Sequence, residues 1–193
     1  MRLAVLVSGK GSILESILEQ KLDISLVLAD RECRGLEIAR SAGVPTELAL
    51  RTSFGPDFDR ETYTRQVVEV LKGHNIDLAA MAGFMTVLGA PMFEAYEGRL
   101  INTHPSLLPA FKGAHAVRDA LEAGATETGC TIHVATLKLD AGPILAQEKV
   151  AVLPNDTQES LHERIKQTER RLYPKTLSRI LAGSLPSYSY PGK

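Results

Sequence analysis

Short apolar runs alternate with helical periodicity through the first half of the chain. Residues 3–7, 24–29, 78–82 and 100–101 are short apolar runs, broken only by Ser25, the pattern of strands buried on both faces of a parallel sheet. Between them, 13–20, 36–41 and 60–73 carry helix-spaced apolar positions, the last with Tyr63, Val67, Val70 and Leu71 on one face. A further helix is expected at 116–123, then strands at 131–137 and 144–152 joined through Asp140-Ala141-Gly142-Pro143, whose short spacing permits an antiparallel return. A long helix follows Asn155-Asp156, with Leu161, Ile165, Leu172, Leu177 and Ile180 as its apolar side and an interruption expected at Pro174. Together these predict an α/β fold: an open, mostly parallel, Rossmann-like twisted sheet of about seven strands with helices on both faces and right-handed crossovers. The tail over 184–193, rich in Ser, Pro and Tyr, is expected to be loose.

Composition narrows the class. A chain of 193 residues suits one domain with a continuous core. Hydrophobic content of 44%, charged content of 23% and a net charge of −1 fit a globular protein with no nucleic-acid footprint. No apolar run reaches the roughly 18–20 residues needed to cross a bilayer, so no membrane partner is expected and the cytoplasm is the expected location. Cys33 and Cys130 are too far apart in sequence for a C-x-x-C motif, and His74, His104, His115, His133 and His162 form no H-x-x-H or H-x-x-x-H pair. Two reduced thiols and no metal site are expected. Composition leaves monomer and homodimer both open.

The candidate chemistry starts at Leu100-Ile101-Asn102-Thr103-His104-Pro105. Alternate residues of an extended segment share a face, so Asn102 and His104 point together, one a donor for a developing oxyanion and the other a proton carrier. Asp140 sits in a turn that Gly142 and Pro143 can tighten, and a carboxylate beside an imidazole stabilises its charged form. Singly, each residue has a plainer reading: His104 as a loop hydrogen-bonder, Asn102 as a turn cap, Asp140 as a turn former. Ser8-Gly9-Lys10-Gly11-Ser12 follows a strand and opens a helix, where free amides and the positive helix end favour a phosphate. It is not a Walker loop, and Leu14 fills the third glycine position of G-x-G-x-x-G. Ser12-Ile13-Leu14-Glu15 also has the form of a capping box, so a capped turn without ligand remains open. Asp30, about 20 residues on, stands where a dinucleotide enzyme would hold a ribose.

Taken together, Val7-Ser8-Gly9-Lys10-Gly11-Ser12, Ala82-Gly83-Phe84-Met85, Asn102-Thr103-His104-Pro105-Ser106-Leu107-Leu108-Pro109, Leu139-Asp140-Ala141-Gly142-Pro143, Glu169 and Tyr173-Pro174 resemble the phosphoribosylglycinamide formyltransferase family, folate-dependent enzymes of purine synthesis. The resemblance spans nearly the whole chain. It implies a single formyltransferase-fold domain with a nucleotide-binding half at about 1–100 and a folate and catalytic half at about 101–183. It implies Asn102, His104 and Asp140 as the catalytic trio. Gly11, Ser12, Ile13, Gly83, Lys166, Gln167, Thr168 and Glu169 would hold glycinamide ribonucleotide. Arg60, Met85, Thr86, Val87, Leu88, Asn102, Thr136, Leu137, Lys138, Leu139 and Asp140 would line the site for the co-substrate 10-formyltetrahydrofolate, with no metal required. The family commonly has asparagine at the positions of Lys10 and Ile13, and many members carry arginine at that of Thr86. Lys10 can meet a phosphate as a point charge. Arg170 and Arg171 read either as a solvated helix face or as part of an anion site; His115 and His133 read as structural or supporting residues.

Methionyl-tRNA formyltransferase and formyltetrahydrofolate deformylase share the formyl-handling core but carry an extra domain that 193 residues do not accommodate. A formyltetrahydrofolate hydrolase, a nucleotide- or folate-binding protein without turnover, and a nicotinamide oxidoreductase resting on Asp30 are the remaining alternatives.

Overall fold

The computed structural model describes residues 1–53 and 55–184, so the tail expected to be loose lies, beyond Ser184, outside the described residues. The chain runs β1 (Leu3–Val7), α1 (Ser12–Glu19), β2 (Ile24–Ala29), α2 (Arg34–Ser41), β3 (Thr46–Leu48), α3 (Arg60–Gly73), β4 (Leu78–Met81), α4 (Ala90–Ala95), β5 (Leu100–His104), α5 (Ala116–Glu122), β6 (Glu127–Val134), β7 (Ile144–Ala151) and α6 (Gln158–Leu181). One seven-stranded sheet has the order β3-β2-β1-β4-β5-β6-β7. The first five strands are parallel, and β6 and β7 are antiparallel to their neighbours. The expected open, mostly parallel sheet is therefore present.

Strand alternation divides the core into two layers. Leu3, Val5 and Val7 pack with α1, α2, α5 and α6, whereas Ala4 and Leu6 pack with α3 and α4. In β5 the same alternation sends Ile101 to the α6 side and Leu100 to the α3–α4 side, so Asn102 shares its face with Leu100, and Thr103 with Ile101. Strand order reverses beside β1, with β2 on one flank and β4 on the other. Ligands of open α/β sheets bind outside the carboxyl ends of strands at such a point; the glycine loop after β1 and the segment after β4 both lie there.

Several expectations need correction. Helix α1 has no Ser12–Glu15 capping box: Gly11 is the cap, left-handed at φ 75°, with no side-chain capping bond. A Cβ on Gly11 would lie 2.8 Å from Ile38 and 2.9 Å from the Gly35 Cα, so glycine is required, and Glu15 instead pairs with Arg34 at 3.1 Å. Pro174 does not interrupt α6, which runs 24 residues through it. One helical N–H is lost there, but the buried Tyr173 hydroxyl donates to the Ile101 carbonyl at 3.0 Å and anchors the helix at that point. Strand β6 spans Glu127–Val134 rather than 131–137, because antiparallel pairing with β7 from Glu127 onward recruits residues that hydrophobicity does not mark. The three-residue β3 and six-residue α4 carry too little periodicity to be read in advance.

Candidate active site

Both members of the amide–imidazole pair belong to β5, which continues through His104. Their neighbours come from β6, where the antiparallel register sets Asn102 opposite His133 and His104 opposite Thr131. Because β6 runs antiparallel, its carboxyl end lies beside the amino end of β5. Residues 135–143 then fold back over the face that carries Asn102. Gly142 permits this: a Cβ there would lie 1.8 Å from the Val134 carbonyl. Asp140, left-handed at φ 48°, is thereby brought beside His104.

Asp140 Oδ2 lies 3.4 Å from His104 Nδ1, and both side chains are almost fully buried. The same oxygen accepts from the Gly113 amide at 2.8 Å, while Asp140 Oδ1 is 3.7 Å from His133 Nε2. His104 Nε2 is 2.7 Å from the Phe111 carbonyl. An imidazole that faces an acceptor at each nitrogen satisfies both as imidazolium, where both nitrogens donate. His133 is built the other way. Its Nδ1 lies 3.0 Å from the Val134 carbonyl and its Nε2 3.5 Å from the Asn102 Nδ2. Burial holds its pKa below the ordinary histidine value, against the Val134 and Asp140 contacts. A neutral His133 donating through Nδ1 leaves Nε2 to accept from Asn102, which orients the amide. Sequence reasoning left His133 among supporting residues; its cross-strand pairing with Asn102 is the signal, and it becomes visible only with the register.

A cavity of 220 Å³ opens beside this cluster, lined by Met81, Phe84, Met85, Thr86, Val87, Leu88, Phe93, Asn102, His133, Ala135, Thr136, Leu137, Leu139 and Asp140. Nine of the eleven positions expected to face a folate are among them. Arg60 is not; it is exposed at the start of α3. Lys138 is not either, and its carbonyl accepts from Thr136 Oγ1 at 2.9 Å. Met85, Val87, Leu137 and Leu139 are large apolar side chains left 56–70% exposed around this opening, an apolar rim with a few polar groups at its base, as small-molecule sites have.

A second cavity, of 720 Å³, lies elsewhere, as an open groove between α1 and α6. Ser12 and Gln167 line it with Arg170, Arg171, Lys175 and Arg179. The first amides of α1 lack helical partners by geometry and follow directly on Gly11. Ile13 is 6% exposed within the core, so only its backbone faces outward, while Lys10 is exposed beside the loop. Lys166, Thr168 and Glu169 share the α6 stretch but do not line the groove. Burial pushes the Glu169 carboxyl up, partly offset by Thr103, Lys166 and Arg170. Asp30 is withdrawn from any ribose: it is fully buried and hydrogen-bonded by Thr86 and Arg31. Cys33 and Cys130 are unpaired. Among the described residues no group of three or more His, Cys, Asp or Glu is arranged to hold a metal ion, and no helix is long and apolar enough to cross a membrane.

A doubly wound sheet with an amide, two imidazoles and a carboxylate gathered beside an apolar cavity defines a small-molecule group-transfer site. Residues 1–177 match the family described as formyl transferase, and the chain belongs to that family. Within it, the chain is 46% identical over 176 residues to a phosphoribosylglycinamide formyltransferase of Mycobacterium tuberculosis, covering 89% of this chain and 80% of the relative. The structure of glycinamide ribonucleotide transformylase 1 from Symbiobacterium toebii superposes with a TM-score of 0.86 at 38% identity, covering 95% of this chain and 88% of that one. Phosphoribosylglycinamide formyltransferase from Bacillus halodurans gives 0.87 at 36% identity, covering 98% and 100%.

Proposed function

We propose that this chain transfers the formyl group of 10-formyltetrahydrofolate to the amine of glycinamide ribonucleotide, a step of purine synthesis. The observation that carries this reading is the cluster in which Asn102 contacts His133 and both His104 and His133 face the Asp140 carboxylate, beside a cavity lined by Met85, Thr86, Val87, Leu88, Thr136, Leu137 and Leu139. That cavity takes the folate. The ribonucleotide phosphate takes the amides of Gly11, Ser12 and Ile13, with Lys10 adding charge, and Gly83 and the 166–169 stretch of α6 hold the rest. On this reading the nucleotide half is about 1–100 and the folate half about 101–183, with Met85, Thr86, Val87 and Leu88 of the first half completing the folate cavity.

An amine of this class has a pKa near 8, so free base is present at neutral pH and no strong general base is needed. Its lone pair attacks the formyl carbon, a C–N bond forms, and the carbonyl oxygen becomes an oxyanion. The Asn102 amide and the His104 imidazolium donate to that oxygen. Collapse breaks the bond from the formyl carbon to N10, and the proton lost from the attacking nitrogen ends on N10. Asp140 holds the imidazolium through its charge, and His133 holds the amide. The Phe111 carbonyl now occupies His104 Nε2, so the 109–114 loop must yield that nitrogen when the formyl oxygen arrives. The test is formyl loss from 10-formyltetrahydrofolate with and without glycinamide ribonucleotide. Loss that requires the ribonucleotide is expected; loss without acceptor means a hydrolase, and no loss in either sample means a binding protein.

A further inference from the structure

Three buried polar side chains at the switch point are joined in a way that the transfer chemistry does not use. Asp30 follows β2, Ser8 follows β1, and Thr86 lies in the segment after β4; they are 0%, 7% and 2% exposed. Thr86 Oγ1 donates to Asp30 Oδ2 at 2.6 Å, and Arg31 donates to the two carboxylate oxygens at 3.0 and 3.2 Å. The Ser8 hydroxyl oxygen accepts from the Met85 amide, next to Thr86, at 2.8 Å. Burial opposes ionisation of Asp30, yet the bonds from Arg31 and Thr86 hold its carboxyl below the ordinary value. A buried carboxylate is rarely worth its desolvation for stability alone. Here its partner Thr86 lies in the proposed folate wall, next to a Met85 whose amide is held by Ser8 from the phosphate loop.

Residues 82–89 have neither helix nor strand, so side-chain ties set their path. Met85, Thr86 and Val87 all line the 220 Å³ cavity, Met85 and Val87 being 70% and 56% exposed and Thr86 between them 2% exposed. Fixing Thr86 and the Met85 amide therefore fixes how the two flanking side chains stand in the cavity. The other end of the same network is Ser8, three residues before Gly11. We propose that Asp30 is a positioning residue: by holding Thr86, next to a Met85 whose amide Ser8 holds, it sets the folate wall against the phosphate loop, so that binding at either site favours binding at the other. This rests on the reading of the 220 Å³ cavity as the folate site. The coupling is reciprocal: a phosphate that orders the loop through Ser8 also orders Met85, and a folate that presses on Met85 and Val87 also orders Ser8.

The test measures tetrahydrofolate binding by calorimetry with and without saturating glycinamide ribonucleotide. In the unaltered protein the ribonucleotide is expected to tighten tetrahydrofolate binding by about fivefold or more, the range of ordinary site coupling. Thr86→Val, which removes the hydroxyl, and Ser8→Ala, which removes the acceptor for Met85, are each expected to bring that ratio close to one. Thr86→Ser is expected to restore it. Ser8→Ala leaves Asp30 with Arg31 and Thr86, so it carries the test if Thr86→Val does not fold. A coupling ratio absent from the unaltered protein, or undiminished in both variants, overturns the proposal. Val87→Asp separates the two readings. If it leaves tetrahydrofolate binding unchanged, the cavity is not the folate site. If it abolishes binding while Thr86→Val and Ser8→Ala keep full coupling, only the role of Asp30 falls.

Discussion

Replacing Asp140 with asparagine removes one charge from a buried pair and keeps the shape. His104 Nδ1 and Asp140 Oδ2 stand 3.4 Å apart, with side chains 6% and 4% exposed. At an effective dielectric of about 20, unit charges at that separation attract by about 5 kcal/mol. Asparagine recovers part of this, because its carbonyl can still accept from the Gly113 amide, which now bonds at 2.8 Å, and can still face the imidazole as a dipole. A net loss of about 3 kcal/mol corresponds to roughly a hundredfold in rate, within the range for losing one stabiliser of a developing oxyanion. Initial rates of ribonucleotide-dependent formyl transfer, with both substrates saturating, read this as a fall in kcat. Thermal denaturation run alongside separates it from unfolding. A fall of less than fivefold in a folded Asp140→Asn protein would refute the electrostatic role assigned to the carboxylate.

Other outcomes follow from the same structure. Tyr173→Phe deletes a buried hydrogen bond to the Ile101 carbonyl and is expected to cost about 1–2 kcal/mol, read as a drop of roughly 3–6 °C in Tm. His133 and His162 both have lowered pKa values, from burial first and, for His162, from Lys166 next. Their contribution to stability is present above the unfolded value of 6.5 and is lost as pH falls through their lower folded values. Denaturant midpoints measured from neutral to mildly acidic pH should therefore fall, and less steeply in His133→Gln. Glu169 has the opposite sign: its raised pKa means that stability declines as pH rises through the folded value, so Glu169→Gln should raise Tm at neutral pH. Cys130 is buried and its thiol is pushed up to about 12, whereas Cys33 is partly exposed. A thiol reagent should find one group in the folded protein and two in denaturant.

Several strands and the shared face of Asn102 and His104 could be read from sequence because their signals are local. β1 and β4 are unbroken apolar runs and β2 is broken only by Ser25, and Asn102 and His104 are alternate residues of one strand, so a shared face follows without tertiary knowledge. What sequence did not reveal depends on partners distant along the chain. The polar start of β6 is a strand because β7 pairs with it, and Gly129 sits there because a Cβ would meet the Glu148 carbonyl at 2.2 Å. His133 joins the site through its register with Asn102, 31 residues away. Asp30 looked like a ribose holder from its spacing, yet Thr86, 56 residues on, captures its carboxylate. Ser12 and Glu15 fit a capping box, but the approach of α2 to Gly11 leaves room only for glycine and gives Glu15 to Arg34.

Formyl transfer itself is tested most directly by the fate of a labelled formyl carbon. The protein would be incubated with 10-formyltetrahydrofolate carrying ¹³C in the formyl group together with glycinamide ribonucleotide. The products would then be resolved by NMR and mass spectrometry. The account predicts that the label appears on the amine nitrogen of the ribonucleotide, in step with tetrahydrofolate release, and that His104→Ala abolishes both. Label recovered as free formate, or retained on the folate while the ribonucleotide is unchanged, would contradict it.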